Sequence, residues 1–130
     1  MANPNLLAAT TASGTTTYYT PSGTSAVVLV PNAASSGQVF KINQIVVANT
    51  TGSAANATVA VYTNGAVAQG SAPSGGTAYP IVSAVSVPAN ASLIAVDKTT
   101  AVYLQEGTSI SITSGTGSAL TYTISYEVIS

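Results

Sequence analysis

The stretch LTYTISYEV, residues Leu120 to Val128, alternates apolar and polar side chains along its whole length. Successive side chains of a β-strand point to opposite faces, so this spacing predicts a strand with one buried and one exposed face. We expect the buried face to carry Leu120, Tyr122, Ile124, Tyr126 and Val128. Such a strand is typical of an antiparallel sheet with a core on one side.

The same two-residue period recurs upstream of Leu120, between segments rich in Gly, Pro, Asn and Ser. It predicts further strands at Ser25–Val30, Val39–Asn49, Thr58–Thr63, Tyr79–Val87, Ser92–Val96, Val102–Leu104 and Ser109–Thr113. The apolar parity changes at Asn43 and Gln44, which predicts a β-bulge there. Residues 64–78 form the longest predicted loop.

The fold class follows from this spacing and from the residue types. No segment keeps helical spacing over ten residues. Val and Ile, with 15 and 8 residues, outnumber Leu with 6, and β-branched side chains favour strands. A chain of 130 residues supplies one modest core. We therefore predict an all-β fold, a single antiparallel β-sandwich of jelly-roll or immunoglobulin-like topology, over residues 21–130.

Residues 1–20 differ from the rest, being rich in Ala, Thr and Gly. One interpretation is an extended N-terminal arm that lies on a neighbouring molecule, because such a segment cannot bury its own side chains. Its anchors, and our candidate interface residues, are then Leu6, Leu7, Tyr18 and Tyr19. The alternative is that Thr15–Thr20 forms the first edge strand and residues 1–14 a solvated tail.

Charged side chains are rare, with two basic and three acidic residues in the whole chain. An ordinary globular chain has about a quarter charged residues. With so few cations the chain cannot neutralise a phosphate backbone, so we expect no nucleic-acid partner. A neutral, hydroxyl-rich surface also does little to keep copies apart, which predicts a subunit of a larger assembly.

Groups that carry most enzyme chemistry near neutral pH are missing, since the chain has no His and no Cys. A Ser–Lys pair through Lys41 or Lys98 is the formal possibility that remains. The carboxylates Asp97, Glu106 and Glu127 lack the spacing of a calcium loop. We therefore predict a protein that is not an enzyme and needs no cofactor or metal.

Membrane signals are also missing from the sequence. Met1–Leu7 lacks the basic start and apolar stretch of a signal peptide, and the longest apolar run, Ala26–Pro31, is far shorter than a membrane span. We expect no membrane partner.

Three segments together resemble a known group of proteins: KINQIVVANTTGSAANATVAVY (Lys41 to Tyr62), VSVPANASLIAVDKTTAVYLQEGTSI (Val85 to Ile110) and TISYEVIS (Thr123 to Ser130). They are similar to small virion structural proteins of tailed phages, especially contractile-tailed phages that infect cyanobacteria. The opening MANPNLLAATTASGTTTYYTP is also similar to the starts of such proteins.

The resemblance implies a β-sandwich that assembles on a virion, and it carries no catalytic or binding residues to transfer. Among virion roles we favour a capsid decoration, or cement, protein that binds the major capsid protein and forms a homo-oligomer, with a trimer favoured. The alternatives are a tail, neck or fibre component of the virion, and a glycan-binding adhesin that uses exposed tyrosines.

Overall fold

A computed structural model describes residues 3–130 of the chain. They form the strands β1 (Ala12–Tyr19), β2 (Val27–Asn32), β3 (Val39–Asn49), β4 (Ala55–Tyr62), β5 (Ala78–Val87), β6 (Ser92–Val96), β7 (Val102–Leu104), β8 (Thr108–Ser114) and β9 (Leu120–Ile129). The only helical segment in this range is the short 3-10 helix Lys98–Thr100. No helix in residues 3–130 is long and apolar enough to span a bilayer.

The strands form two antiparallel sheets that pack face to face, so the predicted β-sandwich is confirmed. Sheet A has the order β1-β9-β3-β6, with β7 also paired to β3, and sheet B has the order β2-β8-β4-β5. Consecutive strands mostly alternate between the sheets, and β6 and β7 share one position beside β3. This strand order is that of a jelly roll. The sequence leaves a jelly-roll and an immunoglobulin-like topology open, and the structure has the jelly roll.

All eight predicted strands lie where the structure has them, and their ends differ by at most three residues. The predicted bulge in β3 is present, because the pairing with β9 shifts between Ile42 and Gln44. The shift keeps Ile42 and Ile45 on the same buried face, and both are fully buried. The bulge therefore allows the apolar residues before and after the parity change to pack into one core.

The core lies between the sheets and has no charged member among the described residues. Its largest fully buried side chains include Tyr122, Leu29, Ile42, Ile45, Leu104, Ile110, Ile112, Leu120 and Ile124. Among these side chains only Tyr122 carries a polar group. The Tyr122 hydroxyl donates a hydrogen bond to the Thr113 carbonyl at 2.8 Å. The predicted inward face of β9 is thus the side that packs on sheet B.

Asn49 closes one end of the sandwich. Its side chain is almost completely buried, and its amide donates to the carbonyls of Ser53 and Val87 at 2.8 and 3.0 Å. Its carboxamide oxygen accepts from the backbone N–H and the hydroxyl of Thr51, at 2.9 and 2.8 Å. This one amide therefore joins β3, the β3–β4 loop and the end of β5.

Asn32 closes the opposite end in the same way. Its buried amide donates to the carbonyls of Gln38 and Leu104 at 3.1 and 3.0 Å, and its oxygen accepts from the Ser36 hydroxyl at 2.6 Å. A Cβ at Gly65 would collide with the Asn32 carbonyl oxygen, so the β4–β5 loop can approach only through a glycine. The β2–β3 loop, the end of β7 and the β4–β5 loop thus meet at Asn32.

Residues 63–77, between β4 and β5, fold back over the outer face of sheet B. The Tyr62 hydroxyl donates to the Gly76 carbonyl and accepts from the Gly76 N–H, both at 3.0 Å. Backbone hydrogen bonds join Val28 to Gly70 and Ser71, at 2.9 Å each. As a result Val28, Ala60 and Ser111 are buried although they lie on the outward side of this sheet.

We predict that Asn49→Ala lowers the free energy of unfolding by about 2–3 kcal/mol, because it leaves buried carbonyl groups without donors. Chemical denaturation measures the change. Asn56→Ala is the matched control, since the Asn56 side chain is exposed and makes no hydrogen bond within residues 3–130. Equal losses in the two variants would contradict the role given to Asn49.

Candidate interaction surface

The outer face of sheet A carries several exposed side chains. Strand register places Tyr18, Thr123, Val46 and Ile94 in one row across four strands. A second row, near the other end of the sheet, holds Gly14, Glu127, Lys41 and Tyr103. Strands lie about 4.8 Å apart, so each row spans roughly 14 Å.

Apolar side chains project from this face at its two edges. Tyr18 is 70% exposed, Ile94 58% and Tyr103 49%. Hydroxyl groups fill the area between them, including the pair Thr16 and Ser125, whose oxygens lie 3.0 Å apart. Exposed aromatic and aliphatic side chains on a neutral sheet are typical of surfaces that bind other proteins.

One ion pair crosses this face. The Lys41 ammonium lies 4.0 Å from a Glu127 carboxylate oxygen, and the side chains are 38% and 40% exposed. The same carboxylate oxygen accepts a hydrogen bond from the Asn43 amide at 2.9 Å. An exposed pair of this kind adds little stability, and it leaves the face without net charge.

The residues that precede β1 lie against the Lys41 end of this face. Leu6, Ala9, Lys41, Tyr103 and Ile129 are among the residues that line a groove of about 420 Å³. The Asn3 side chain accepts a hydrogen bond from the Glu106 N–H at 3.2 Å. The segment therefore crosses the outer face of sheet A from β1 toward β7.

The four predicted interface residues fall into different environments. Leu7 is 98% exposed and Leu6 48%, and Tyr18 points outward from sheet A. Tyr19 is half-buried, packs against the core, and its ring lies beside Gly70 of the β4–β5 loop. Three of the four therefore lie on the outer side of the molecule, whereas Tyr19 points toward its interior.

The sequence did not indicate that Ile94 and Tyr103 belong to the outer face of sheet A. In β6 the apolar residues Leu93, Ile94 and Val96 occupy both parities, so alternation cannot separate the inner face from the outer face. Their placement depends on the pairing with β3, which is a tertiary property.

Exposed tyrosines do not form a cluster in the described residues. Tyr18 and Tyr103 lie at opposite corners of sheet A, about 20 Å apart by strand geometry. The third exposed tyrosine, Tyr79, lies on β5 of sheet B. The adhesin hypothesis relies on exposed tyrosines grouped on one face, and residues 3–130 do not group them.

No group of three acidic side chains in residues 3–130 could hold a metal ion. Lys41 is partly exposed beside Glu127, and Lys98 is exposed in the 3-10 helix.

Burial and hydrogen bonding shift three ionisable groups. Burial raises the pKa of the Tyr122 hydroxyl, and burial alone raises the pKa of the Tyr126 hydroxyl. Hydrogen bonds from Thr99 hold the pKa of the Asp97 carboxyl below its ordinary value. Asp97 caps the exposed 3-10 helix, so this shift reflects local structure.

Comparison of the chain with protein-family models, with curated proteins and with solved structures gives no match.

We predict that Tyr18→Ser changes the free energy of unfolding by less than about 0.5 kcal/mol, since exposed side chains contribute little. Tyr19→Ser should lower it by about 2 kcal/mol, because it removes a ring packed on the core and on Gly70. Thermal or chemical denaturation of both variants measures the contrast. A similar loss in both would mean that the two tyrosines do not face opposite sides of β1.

We predict that stability is nearly constant between about pH 5 and pH 9, because no histidine titrates there. The raised pKa values of Tyr122 and Tyr126 stabilise the fold below their ordinary value of 10.0, and this stability is lost as the pH rises through the folded-state pKa. Denaturation at a series of pH values measures the profile.

Tyr126→Phe should reduce the alkaline loss and leave stability at pH 7 almost unchanged. The Tyr126 hydroxyl makes no hydrogen bond within the described residues, so its removal leaves no unpaired partner. An alkaline profile identical to that of the wild type would contradict the burial of this hydroxyl.

Proposed function

We propose that this chain is a non-enzymatic structural protein of a tailed-phage virion, and that it acts as a capsid decoration protein. The observation that carries the proposal is the outer face of sheet A, which is neutral and rich in hydroxyls and presents Tyr18 and Ile94, together with the exposed Leu7 in the segment before β1. Such a surface is suited to a permanent protein contact rather than to chemistry.

The topology supports this proposal by analogy. Jelly rolls occur repeatedly as viral capsid domains and as lectin domains. A fold does not establish a function, so the analogy only narrows the choice. The separation of Tyr18, Tyr79 and Tyr103 favours the virion role over the glycan-binding adhesin, because the adhesin hypothesis relies on exposed tyrosines that share one face.

The mechanism would be stabilisation by mass action. A subunit that binds the assembled shell, and not its separated proteins, lowers the free energy of the shell by its own binding free energy. No covalent step or cofactor is needed. The partner is the major capsid protein, the location is the virion, and the predicted trimer would place several copies of sheet A on one capsid site.

Exposed side chains on the outer face of sheet A would supply the contact with the shell. Leu7 and Tyr18 are the two most exposed apolar side chains of the described residues. Apolar anchors contribute most of the binding energy of an interface. The ion pair of Lys41 and Glu127 lies on the central strands β9 and β3, and because both side chains are partly exposed it would contribute little.

We predict that the double variant Leu7→Ser/Tyr18→Ser binds phage particles at least about 30-fold more weakly than the wild type, which corresponds to losing one strong anchor. The assay is cosedimentation of the purified chain with particles assembled without it. Tyr79→Ser is the matched control, because Tyr79 is 61% exposed on the other sheet. It should bind as the wild type does.

Three outcomes would contradict the proposal. Unchanged binding of the double variant would show that the outer face of sheet A does not contact the shell. Association with tails or fibres and not with shells would assign the chain to the tail, neck or fibre instead. Binding to host glycans by the free chain, with none to particles, would favour the adhesin.

A further inference from the structure

The two sheets have four edges, and the strand at an edge presents backbone N–H and C=O groups to which another strand can pair. Two of these edges belong to sheet B, and both are blocked. Strand β2 contains Pro31, and the β4–β5 loop bonds to its edge through Val28. Strand β5 contains Pro80 and a break at Ala84, whose φ is 49°.

The far edge of sheet A is also blocked. It consists of β6 and β7, which have five and three residues. The 3-10 helix and the charged residues Asp97 and Lys98 separate the two strands. Short strands, breaks and charges are the devices by which natural sheets prevent edge pairing.

Strand β1 has none of these devices. It pairs with β9 over eight consecutive residues, Ala12–Tyr19, with no shift in register. It contains no proline and no charged residue, and Ala12–Thr16 are all exposed. Among the strands of residues 3–130, β1 is therefore the one edge that is ready to accept another strand.

A groove lies beside this edge, between the two sheets. Its volume is about 380 Å³, and its lining includes Thr15, Thr17, Leu29, Phe40 and Tyr126. The rings of Phe40 and Tyr126 form its aromatic floor, with their centroids 5.1 Å apart. A strand added to β1 would direct alternate side chains into this groove, as strand addition to a sheet edge requires.

The N-terminal segment leaves this edge uncovered. It crosses the outer face of sheet A toward β7, where Asn3 bonds to Glu106. The β4–β5 loop reaches only the second half of β1, through Gln69, which donates to the Thr17 hydroxyl at 3.3 Å. Pairing space therefore remains along Ala12–Thr16, and Gly14 is its midpoint.

We propose that β1 pairs with β1 of a second copy of this chain, in an antiparallel two-fold arrangement that places Gly14 opposite Gly14. An incoming strand must lack charge, because β1 offers no counter-ion, and β1 itself meets this condition. It is already extended, so pairing costs little ordering entropy. Self-pairing also sets no like charges opposite one another.

Gly14 suits the centre of such a contact. A Cβ at this position meets nothing within 4 Å, and its backbone has no positive φ. In the proposed register Ala12 lies opposite Thr16, and Ser13 opposite Thr15, so only small side chains meet. The contact is independent of the proposed virion function, because it uses the edge of sheet A and leaves the outward side chains Tyr18 and Ile94 free, and the trimer predicted on the shell would form through other surfaces.

Sedimentation equilibrium of the full chain tests the pairing. The wild type should show a concentration-dependent dimer, and Thr15→Lys should raise its dissociation constant at least about tenfold, since an inward-pointing lysine blocks a sheet edge. Ser92→Lys, at the exposed start of β6 on the opposite edge of sheet A, is the matched control and should dimerise normally. A wild type that stays monomeric, or a dimer that Thr15→Lys leaves intact, would overturn the proposal.

Cysteine cross-linking tests the register. The chain has no cysteine, so Gly14→Cys introduces a single thiol that the proposed dimer places within disulfide distance of its copy. Mild oxidation should cross-link Gly14→Cys rapidly and in high yield. Gly52→Cys is the control, because a Cβ there also meets nothing within 4 Å. Equal cross-linking of the two variants would overturn the proposed pairing even if a dimer forms.

Discussion

Two buried asparagines hold the ends of this sandwich together, and the rest of the structure depends on them. A jelly roll joins its sheets through loops at both ends, and the backbone groups of those loops need partners wherever they are buried. With two basic and three acidic residues, the chain has few charges to supply such partners. Asn49 at one end and Asn32 at the other supply them with neutral amides instead.

Closure by neutral groups has a consequence for the surface. One loop covers part of the outer face of sheet B, and the N-terminal segment lies over the Lys41 end of sheet A, whereas the Tyr18 end of sheet A and the edge β1 remain open. Both are uncharged apart from the ion pair of Lys41 and Glu127. A surface of this kind associates readily with other proteins, and the proposed shell contact and the proposed pairing of copies use separate parts of it.

The sequence predicted the strands and the sandwich, because alternation in β9 and β3 directly reflects one buried face. It also located the bulge at Asn43. It could not predict the jelly-roll order, which depends on long-range pairing. Nor could it identify Asn32 and Asn49 as buried, since Asn in a sequence normally indicates an exposed turn. It grouped Tyr18 with Tyr19, although adjacent residues of a strand point to opposite faces.

The most direct test of the central claim, that this chain is a structural subunit of a virion shell, is cryo-electron microscopy of the native particle. We expect density for the chain at symmetry-related sites on the shell, with the outer face of sheet A and Leu7 against the capsid protein. Density along a tail or fibre, or on the shell with that face toward solvent, would contradict the account.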